Sequence, residues 1–467
     1  MIVGRCGRAV LAGARAGGAS KKGALLFVCA GLAWLSFAQD AEARRLSPDE
    51  AVDLALKSNL TLDSARITAG MKKRKADTAW NVLVPSIDLG AALRGSLYKP
   101  EAASPLTPAS PQAQFTPLSV AASLTLNAAL FEGMRNLKLD YEAGLIALDK
   151  AKSQLERDVR KAYYNMLLIQ ENTALLHESL AAAERRLEMA RANYRAGLAP
   201  ELTVLQAQVA MENMKPGIDQ AENGFKLSMA QFAMNLGLPY DTGFTLIPLE
   251  EAIGFIPLDV KELIAAAARG KPDIIELKQN ILLLESQRKA MFYRTFTPSL
   301  SLSLSVGHIL WDNLNGWADL GDAWKTQPPS WSFSLGFRLN GLFPFDSERQ
   351  GLQDMDDNLR LLRVGLAQAV RGTEIEVYSA ILNLEKVRGT AEAQGRTVDL
   401  AERTYRLTET AYRAGLQDLL EVQNAELELR RARIGVLEQN FTYLQGLIDL
   451  EYAVGVPFGT LSGGSIR

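Results

Sequence analysis

A chain of 467 residues would ordinarily form two or three globular domains. Its 51 Lys and Arg residues nearly balance 53 Asp and Glu residues, which excludes the basic surface of a typical nucleic-acid-binding protein. Both cysteines, Cys6 and Cys29, lie near the amino terminus, in a segment that we expect to be removed. The mature chain would then contain no disulfide and no thiolate metal site, and we expect no cofactor.

The amino-terminal segment 1–38 has the pattern of a secretory signal peptide. Five basic residues precede an apolar run at 23–38, which ends in a small-x-small cleavage pattern. We therefore expect the mature chain to begin near Gln39, with 46 Lys and Arg against 53 Asp and Glu. Cys29 offers an alternative as a lipidation site, but the large residues before it favour an unmodified signal cysteine. No later segment contains about 18 uninterrupted apolar residues, the length of a membrane helix.

The rest of the chain reads as two copies of one unit. Residues 192–239 align without a gap on 410–457, at a constant offset of 218 residues. The pentapeptide YRAGL occurs in both copies, at Tyr194–Leu198 and Tyr412–Leu416. Such self-similarity indicates a duplicated architecture.

The duplication predicts the domain organisation. The segment 39–255 forms the first repeat and 256–457 the second, followed by a tail at 458–467. Each repeat contains, in order, a helix, a β-hairpin, a long helix and a returning helix. The hairpins are predicted at 84–131 and 297–343.

Two helices precede the hairpins. Ser47-Pro48 has the pattern of a helix start and predicts a first helix that runs to about Leu83. The counterpart in the second repeat is predicted from Pro272 to about Phe296.

Much longer helices follow the hairpins, at about 133–194 and 346–412, without internal proline. Each would be about 90–100 Å long and would need coiled-coil packing. Gly197 and Gly415 are expected to end these helices in the left-handed conformation. The returning helices are predicted at 201–236 and 418–452.

Apolar and polar residues alternate in four segments, the period of a β-strand with one apolar and one polar face. These segments are 86–98, 118–131, 299–306 and 331–340. A soluble sandwich is one interpretation. The secretion signal, the matched hairpins and the long loops 99–117 and 311–329 favour a membrane barrel. Because four strands cannot close a barrel, several chains would have to share one.

No constellation of residues indicates catalysis. His177 and His308 lack the partner spacing of a metal site, and we find no nucleotide-binding or nucleophile motif. The carboxylates alternate with Arg and Lys, as in Glu184-Arg185-Arg186 and Glu426 to Arg431, which we interpret as solvated coiled-coil faces. We predict that the protein is not an enzyme.

The signal peptide, the duplicated unit with YRAGL and the closing GLP and GVP motifs resemble the outer-membrane efflux protein (TolC) family over 46–457. The resemblance implies a homotrimer with a 12-stranded barrel in outer-membrane lipid and an α-helical barrel in the periplasm. It implies a passive exit duct for efflux or type I secretion. The expected partners are a periplasmic adaptor protein and an inner-membrane efflux pump or ABC transporter.

The resemblance also assigns roles to residues near the helical turns. At the periplasmic constriction the family has a tyrosine, an arginine and two aspartates, where this chain has Tyr412, Gln417, Glu421 and Asn424. One of the two acids is retained, and the arginine is replaced. Glu421 is expected on the inner face of the helical barrel, where three copies would favour cations; the alternative is an outer, solvated position. The expected adaptor-contacting tips are Tyr194, Arg195, Gly197, Leu198, Tyr412, Arg413, Gly415 and Leu416.

One hypothesis of another class remains. The long helices could belong to a periplasmic coiled-coil structural or adaptor protein with soluble sheets, which would not require detergent.

Overall fold

A computed structural model describes residues 44–96, 112–248, 258–312, 324–325, 328–338 and 347–461. The predicted signal peptide and its cleavage site, most of the loops 99–117 and 311–329, and the end of the tail lie outside the described residues. The described residues fall into two compact units. In the smaller unit, β1 (Arg44–Leu46) pairs in parallel with β4 (Phe244–Leu246), and Leu46, Phe244 and Leu246 are buried.

The larger unit is mostly helical. In chain order its helices are α1 (Pro48–Ser58), α2 (Leu60–Asp77), a 3-10 helix (Ala79–Leu83), α3 (Ala129–Arg195), α4 (Glu201–Glu212), α5 (Lys215–Asn235), α6 (Val260–Gly270), α7 (Pro272–Phe296), α8 (Ser347–Arg413) and α9 (Leu419–Val454). The long helices α3 and α8 contain 67 residues each. Both agree with the predicted long helices to within four residues at each end, because no proline or glycine turn interrupts them. Within the described residues, none of the helices combines the length and apolar character needed to cross a bilayer.

The predicted first helix is wrong as a single element, because Asn59 divides it into α1 and α2. The Asn59 backbone is extended, and its side-chain oxygen accepts from Thr61 N and Leu62 N at 2.9 and 3.1 Å. This side chain caps α2, as asparagine does at many helix starts. The second repeat has the equivalent break at Lys271, between α6 and α7, so that α6 is a helix that the sequence analysis did not predict.

The predicted returning helix of the first repeat is also wrong as one element. The chain forms α4 and α5 instead, with a break at Asn213 and Met214. Pro216 lies in the first turn of α5. A proline inside a helix removes a hydrogen bond to the preceding turn and clashes with its carbonyl. In the second repeat α9 has no proline and runs unbroken over 36 residues.

The GLP and GVP motifs that close the two repeats pack against the breaks between α1 and α2 and between α6 and α7. Gly237 and Gly455 have φ angles of 78° and 76°, in the left-handed region. A Cβ atom at Gly237 would overlap with the carbonyl oxygen of Ser58, and one at Gly455 would overlap with that of Gly270. Only glycine permits both the backbone conformation and the close approach at these positions. Asn59 Nδ2 adds a hydrogen bond to Asn235 O at 2.7 Å.

The four predicted strands form one antiparallel sheet in the order β2-β3-β5-β6. The strands are β2 (Ser86–Ser96), β3 (Gln112–Leu126), β5 (Ser299–Asp312) and β6 (Ser330–Arg338). Strand β3 begins six residues before the predicted segment and ends where Asn127 and Ala128 lead into α3. The pairing of β3 with β5 joins the hairpins of the two repeats, and β2 and β6 form the edges of the sheet.

The two faces of the sheet differ sharply in chemistry. Ser86, Ser123, Ser303 and Ser334 are paired in register across all four strands, and hydroxyl pairs join Ser86 to Ser123 and Ser303 to Ser334. On the other face, Ile87, Trp331 and Phe337 each expose more than 70% of their surface. The predicted alternation is confirmed, and the apolar face is uncovered within the single chain.

The core of the second repeat lies between α6, α8 and α9. Its buried members include Leu263, Ala267, Val377, Ile381, Leu384, Tyr443 and Leu447. Near the middle of α3, Tyr163 and Tyr164 pack edge to face, and Tyr163 contacts Phe232 of α5. The middle of α3 therefore packs against α5 through aromatic side chains.

Replacing glycine by alanine at two turns should separate backbone strain from steric overlap. Gly197→Ala places a Cβ in open space at φ 73°, so we expect a loss of about 1–2 kcal/mol from the left-handed conformation alone. Gly237→Ala adds the overlap with Ser58, which should cost about 1–3 kcal/mol more. Thermal unfolding of the two variants in one detergent tests this, and equal melting temperatures would contradict the close approach at Gly237.

Candidate functional site: the paired helical turns

The two YRAGL segments form turns of the same geometry. Gly197 and Gly415 both have φ 73°. The following backbone N–H groups, of Leu198 and Leu416, donate to Asn193 O and Ala411 O at 2.8 Å in each case. This is the left-handed helix ending predicted from the sequence, and it satisfies carbonyls that the helix end would otherwise leave unpaired.

The tips of the turns are apolar and exposed. Leu198 exposes 79% of its surface and Leu416 exposes 78%. Gly197 and Gly415 have open space beside them, and Arg195 is exposed. An exposed leucine side chain adds no stability to the isolated chain, because apolar side chains stabilise a fold when they are buried. Here such a side chain occurs at two equivalent positions.

A small core lies directly behind the turns and joins the two repeats. Its buried residues are Ala183, Leu187, Ala190, Ala207, Met211 and Leu419, from α3, α4 and α9. Alanines at several of these positions allow the helices to approach closely. Ala183, Ala190 and Ala207 are therefore buried between helices.

The two tyrosines of YRAGL have different environments. Tyr194 exposes 47% of its surface, whereas Tyr412 packs against the small core behind the turns. Burial raises the pKa of the Tyr412 hydroxyl, although the positive charge of Arg186 opposes this. The adjacent Arg413 donates to Glu409 Oε1 at 2.7 Å. Tyr412 thus ties the turn of the second repeat to the small core behind it.

Three of the four predicted constriction residues are exposed. Val422 and Leu429 are buried on one side of α9, together with Leu419. Glu421 and Asn424 lie on the opposite, exposed side, and Gln417 is exposed in the turn before α9. Among the described residues no salt bridge is formed by Glu421. The structure of the single chain brings Glu421 and Asn424 to one helix face but leaves Tyr412 on the other side, in contact with the core.

A buried ion pair lies next to the small core behind the turns. The sequence analysis missed this pair. Arg186 of α3 pairs with Glu426 of α9, and their side chains expose only 7% and 17% of their surface. Both residues belong to segments that we interpreted as solvated coiled-coil faces, which is wrong for these two. The helix spacing alone carried no signal for the pairing, since it depends on α3 and α9 packing together.

The pair borders a cavity of about 200 Å³ between α3, α4 and α9. Its wall includes Ala183, Ala207, Ala210, Met214, Leu419, Gln423, Leu427 and Arg430. Arg186 Nη1 is buried there without a hydrogen-bond partner. On the other side of the pair, burial raises the pKa of the Tyr405 hydroxyl and the charge of Glu409 adds to the effect. In the described part of the chain, no group of His, Cys, Asp or Glu side chains is arranged to hold a metal ion.

Comparison with known proteins identifies the family. The profile of the outer membrane efflux protein family matches residues 51–231 and 263–456. Nodulation protein T of Rhizobium leguminosarum bv. trifolii is 22% identical over 318 residues, which cover 67% of this chain and 66% of that protein. The probable efflux pump outer membrane protein TtgC of Pseudomonas putida is 24% identical over 307 residues, 64% of this chain and 60% of that protein. The alignments span less than two thirds of these relatives.

Solved structures show the same fold. The CmeC outer membrane channel of Campylobacter jejuni superposes with a TM-score of 0.70 at 18% identity, over 87% of this chain and 85% of that one. CusC gives 0.69 at 18% identity, over 90% of this chain and 96% of that one. VceC of Vibrio cholerae gives 0.68 at 16% identity, over 88% and 96%.

Because the profile matches most of the chain in two segments, the protein belongs to the outer membrane efflux protein family. The resemblance inferred from YRAGL and the duplication is confirmed, and so are the fold class and the outer-membrane location. Each matched segment falls within one of the two predicted repeats. An efflux protein family also agrees with the prediction that the chain is not an enzyme.

The Arg186–Glu426 pair allows a sharp test of the packing behind the turns. Arg186→Met leaves Glu426 buried without its partner, which should cost about 3–5 kcal/mol. The double variant Arg186→Met with Glu426→Leu should recover most of that loss, since apolar side chains can replace a buried pair. Thermal unfolding and protease cleavage at the turns measure both variants. Additive losses in the double variant would show that the two side chains do not interact.

Proposed function

We propose that the protein is the outer-membrane exit duct of a tripartite efflux or type I secretion system. The four-stranded sheet with two open edges carries this proposal. Strands β2 and β6 present unpaired backbone groups at the sheet edges, and lipid offers no partners for them. Three chains would close a 12-stranded barrel by pairing β2 of one chain with β6 of the next.

The same arrangement supports a passive conduit. In chain order α3 follows β3 and α8 follows β6, and each of these long helices ends at a YRAGL turn. In a trimer the six hairpins would form a second, α-helical barrel in the periplasm. Family membership does not favour the alternative of a separate periplasmic structural or adaptor protein. The two repeats, 39–255 and 256–457, would contribute equivalent segments to both barrels.

The exposed turns are the proposed docking elements for a periplasmic adaptor. Tyr194, Arg195, Gly197 and Leu198 form one tip, and Tyr412, Arg413, Gly415 and Leu416 form the other. The support is the uncovered apolar surface at two equivalent positions. Through the adaptor, the duct would receive substrate from an inner-membrane efflux pump or ABC transporter.

Charge at both tips should uncouple export from trimer formation. We expect Leu198→Asp with Leu416→Asp to abolish export while leaving trimers inserted in the outer membrane, because a carboxylate cannot be buried at an apolar contact without a large loss. Trimer content by native mass measurement and export in cells are measured separately.

Leu60→Asp provides the matched control, because Leu60 exposes 80% of its surface and lies on α2, away from the turns. It should leave export unchanged. Normal export by inserted trimers of the double tip variant would remove the docking assignment.

We also propose that the periplasmic constriction of the duct is formed by Tyr412, Gln417, Glu421 and Asn424. A substitution of Glu421 tests this assignment. If the exposed face of α9 lines the conduit, three Glu421 carboxylates would attract cations. We expect Glu421→Gln to reduce the cation selectivity of single channels in planar bilayers. Glu385→Gln, an exposed carboxylate on α8, is the control. Equal reversal potentials for the parent and Glu421→Gln would place Glu421 outside the conduit.

A further inference from the structure

The two helices that lead into the sheet, α2 and α7, have similar residues near the sheet. Each ends shortly before a proline, Pro85 or Pro298, that precedes a strand, β2 or β5. In both repeats exposed cations and aromatic residues precede the strand. Both repeats therefore place these two kinds of side chain at the junction of helices and sheet.

In the first repeat the cations form an unpaired cluster at the end of α2. Lys73, Arg74 and Lys75 are exposed, and none of them forms a salt bridge among the described residues. The preceding Lys72 is different, because its Nζ donates to Asp140 Oδ1 at 2.9 Å. Asp77 is the only acid between positions 72 and 84. The three exposed charges are therefore open to an anion outside the chain.

An exposed apolar segment follows the cations in the chain. Trp80 exposes 60% of its surface, and Val82, Leu83 and Val84 expose 39–50%. These residues are continuous with Ile87 on the apolar face of the sheet, which exposes 71%. Tryptophan is enriched where a membrane protein crosses from hydrocarbon to headgroups.

The second repeat also has exposed cations and aromatic residues before its strand. Lys289 and Arg294 are exposed near the end of α7. Phe292 and Phe296 each expose 41% of their surface beside them. The guanidinium of Arg349, at the start of α8, lies 5.2 Å from the ring centroid of Phe296.

We propose that these junctions form a binding surface for anionic phospholipid headgroups in the membrane leaflet on the helix side of the sheet. Lys73, Arg74 and Lys75 contact lipid phosphates in the first repeat, and Lys289 and Arg294 do so in the second. Trp80, Phe292 and Phe296 lie at the boundary between headgroups and acyl chains. The proposal depends on insertion of the sheet in a membrane but not on an export partner.

The spacing of these residues fits the headgroup layer. Trp80 follows Lys75 by five positions, about 8–10 Å in α and 3-10 helix. The headgroup layer of one leaflet is about 5–7 Å thick, a depth that lysine and arginine side chains can cross. A cation near an anionic membrane surface strengthens binding by roughly fivefold. The three cations of the first junction and the two of the second therefore select an anionic headgroup over a zwitterionic one of the same size.

The test uses the intact trimer in detergent. It is titrated with phosphatidylglycerol or with phosphatidylcholine of the same acyl chains, and retained lipids are counted by native mass spectrometry. The parent should retain phosphatidylglycerol in preference by about tenfold or more. The variant Lys73→Gln, Arg74→Gln, Lys75→Gln should lose most of that preference. Lys289→Gln with Arg294→Gln should lose a smaller part.

The matched control removes three other exposed cations, Arg371, Lys386 and Arg396, by substitution with Gln. They lie on α8 at least 24 residues from its first residue, about 36 Å along the helix. This control should keep the full preference. Trp80→Ala should weaken retention of both lipids alike.

Three results would overturn the proposal. Equal retention of the two lipids by the parent is the first, and an undiminished preference in the triple variant is the second. The third is a triple variant that no longer forms trimers, because the cations would then face a neighbouring protomer. Export assays on the same variants keep this question apart from the proposed duct, since an active duct without lipid preference contradicts only the lipid surface.

Discussion

Backbone groups at the edges of the sheet impose the strongest constraint on this protein. Every N–H and C=O group placed in lipid needs a partner within the protein. Strands β2 and β6 leave such groups open at both edges of a sheet whose apolar face is uncovered. A closed assembly of several chains satisfies both requirements at once. The serine rows across the other face supply small polar side chains suited to the inside of a barrel.

The helical part follows from a second backbone constraint. A helix of 67 residues must end before the chain can return, and glycine at φ 73° ends both α3 and α8. The glycines that close each repeat are more restricted, because Gly237 and Gly455 also contact the breaks between α1 and α2 and between α6 and α7. Duplication has thus preserved backbone geometry, while the side chains around it differ. Tyr412 packs inward where Tyr194 is half exposed, and α9 is continuous where α4 and α5 are broken.

Ion pairs along α3 fix how the two repeats pack. Lys150 contacts Asp273 and Glu276 of α7 at 2.7 Å, and Lys161 contacts Asp449 of α9 at 2.6 Å. Although burial alone lowers it, the pKa of Lys150 is raised overall by its hydrogen bonds to the two carboxylates. Partly exposed pairs contribute little stability individually. These ion pairs determine how the helices are aligned along their axes, since a helix shifted by one turn would leave several charges without partners.

The sequence by itself determined the duplication, the long helices, the left-handed glycine turns and the alternation of the four strands. Each of these depends on local periodicity or on a residue with a special backbone preference, which neighbouring positions in the chain reveal. The tertiary structure alone decided the order of the strands, the hydrogen bond from Asn59 to the end of α5, and the burial of Arg186 against Glu426 of α9. The partners in each of these last two contacts lie more than 170 residues apart in the chain. Charged residues on a helix look solvated until the packing partner is known, because burial is a property of the assembled helices and not of their spacing.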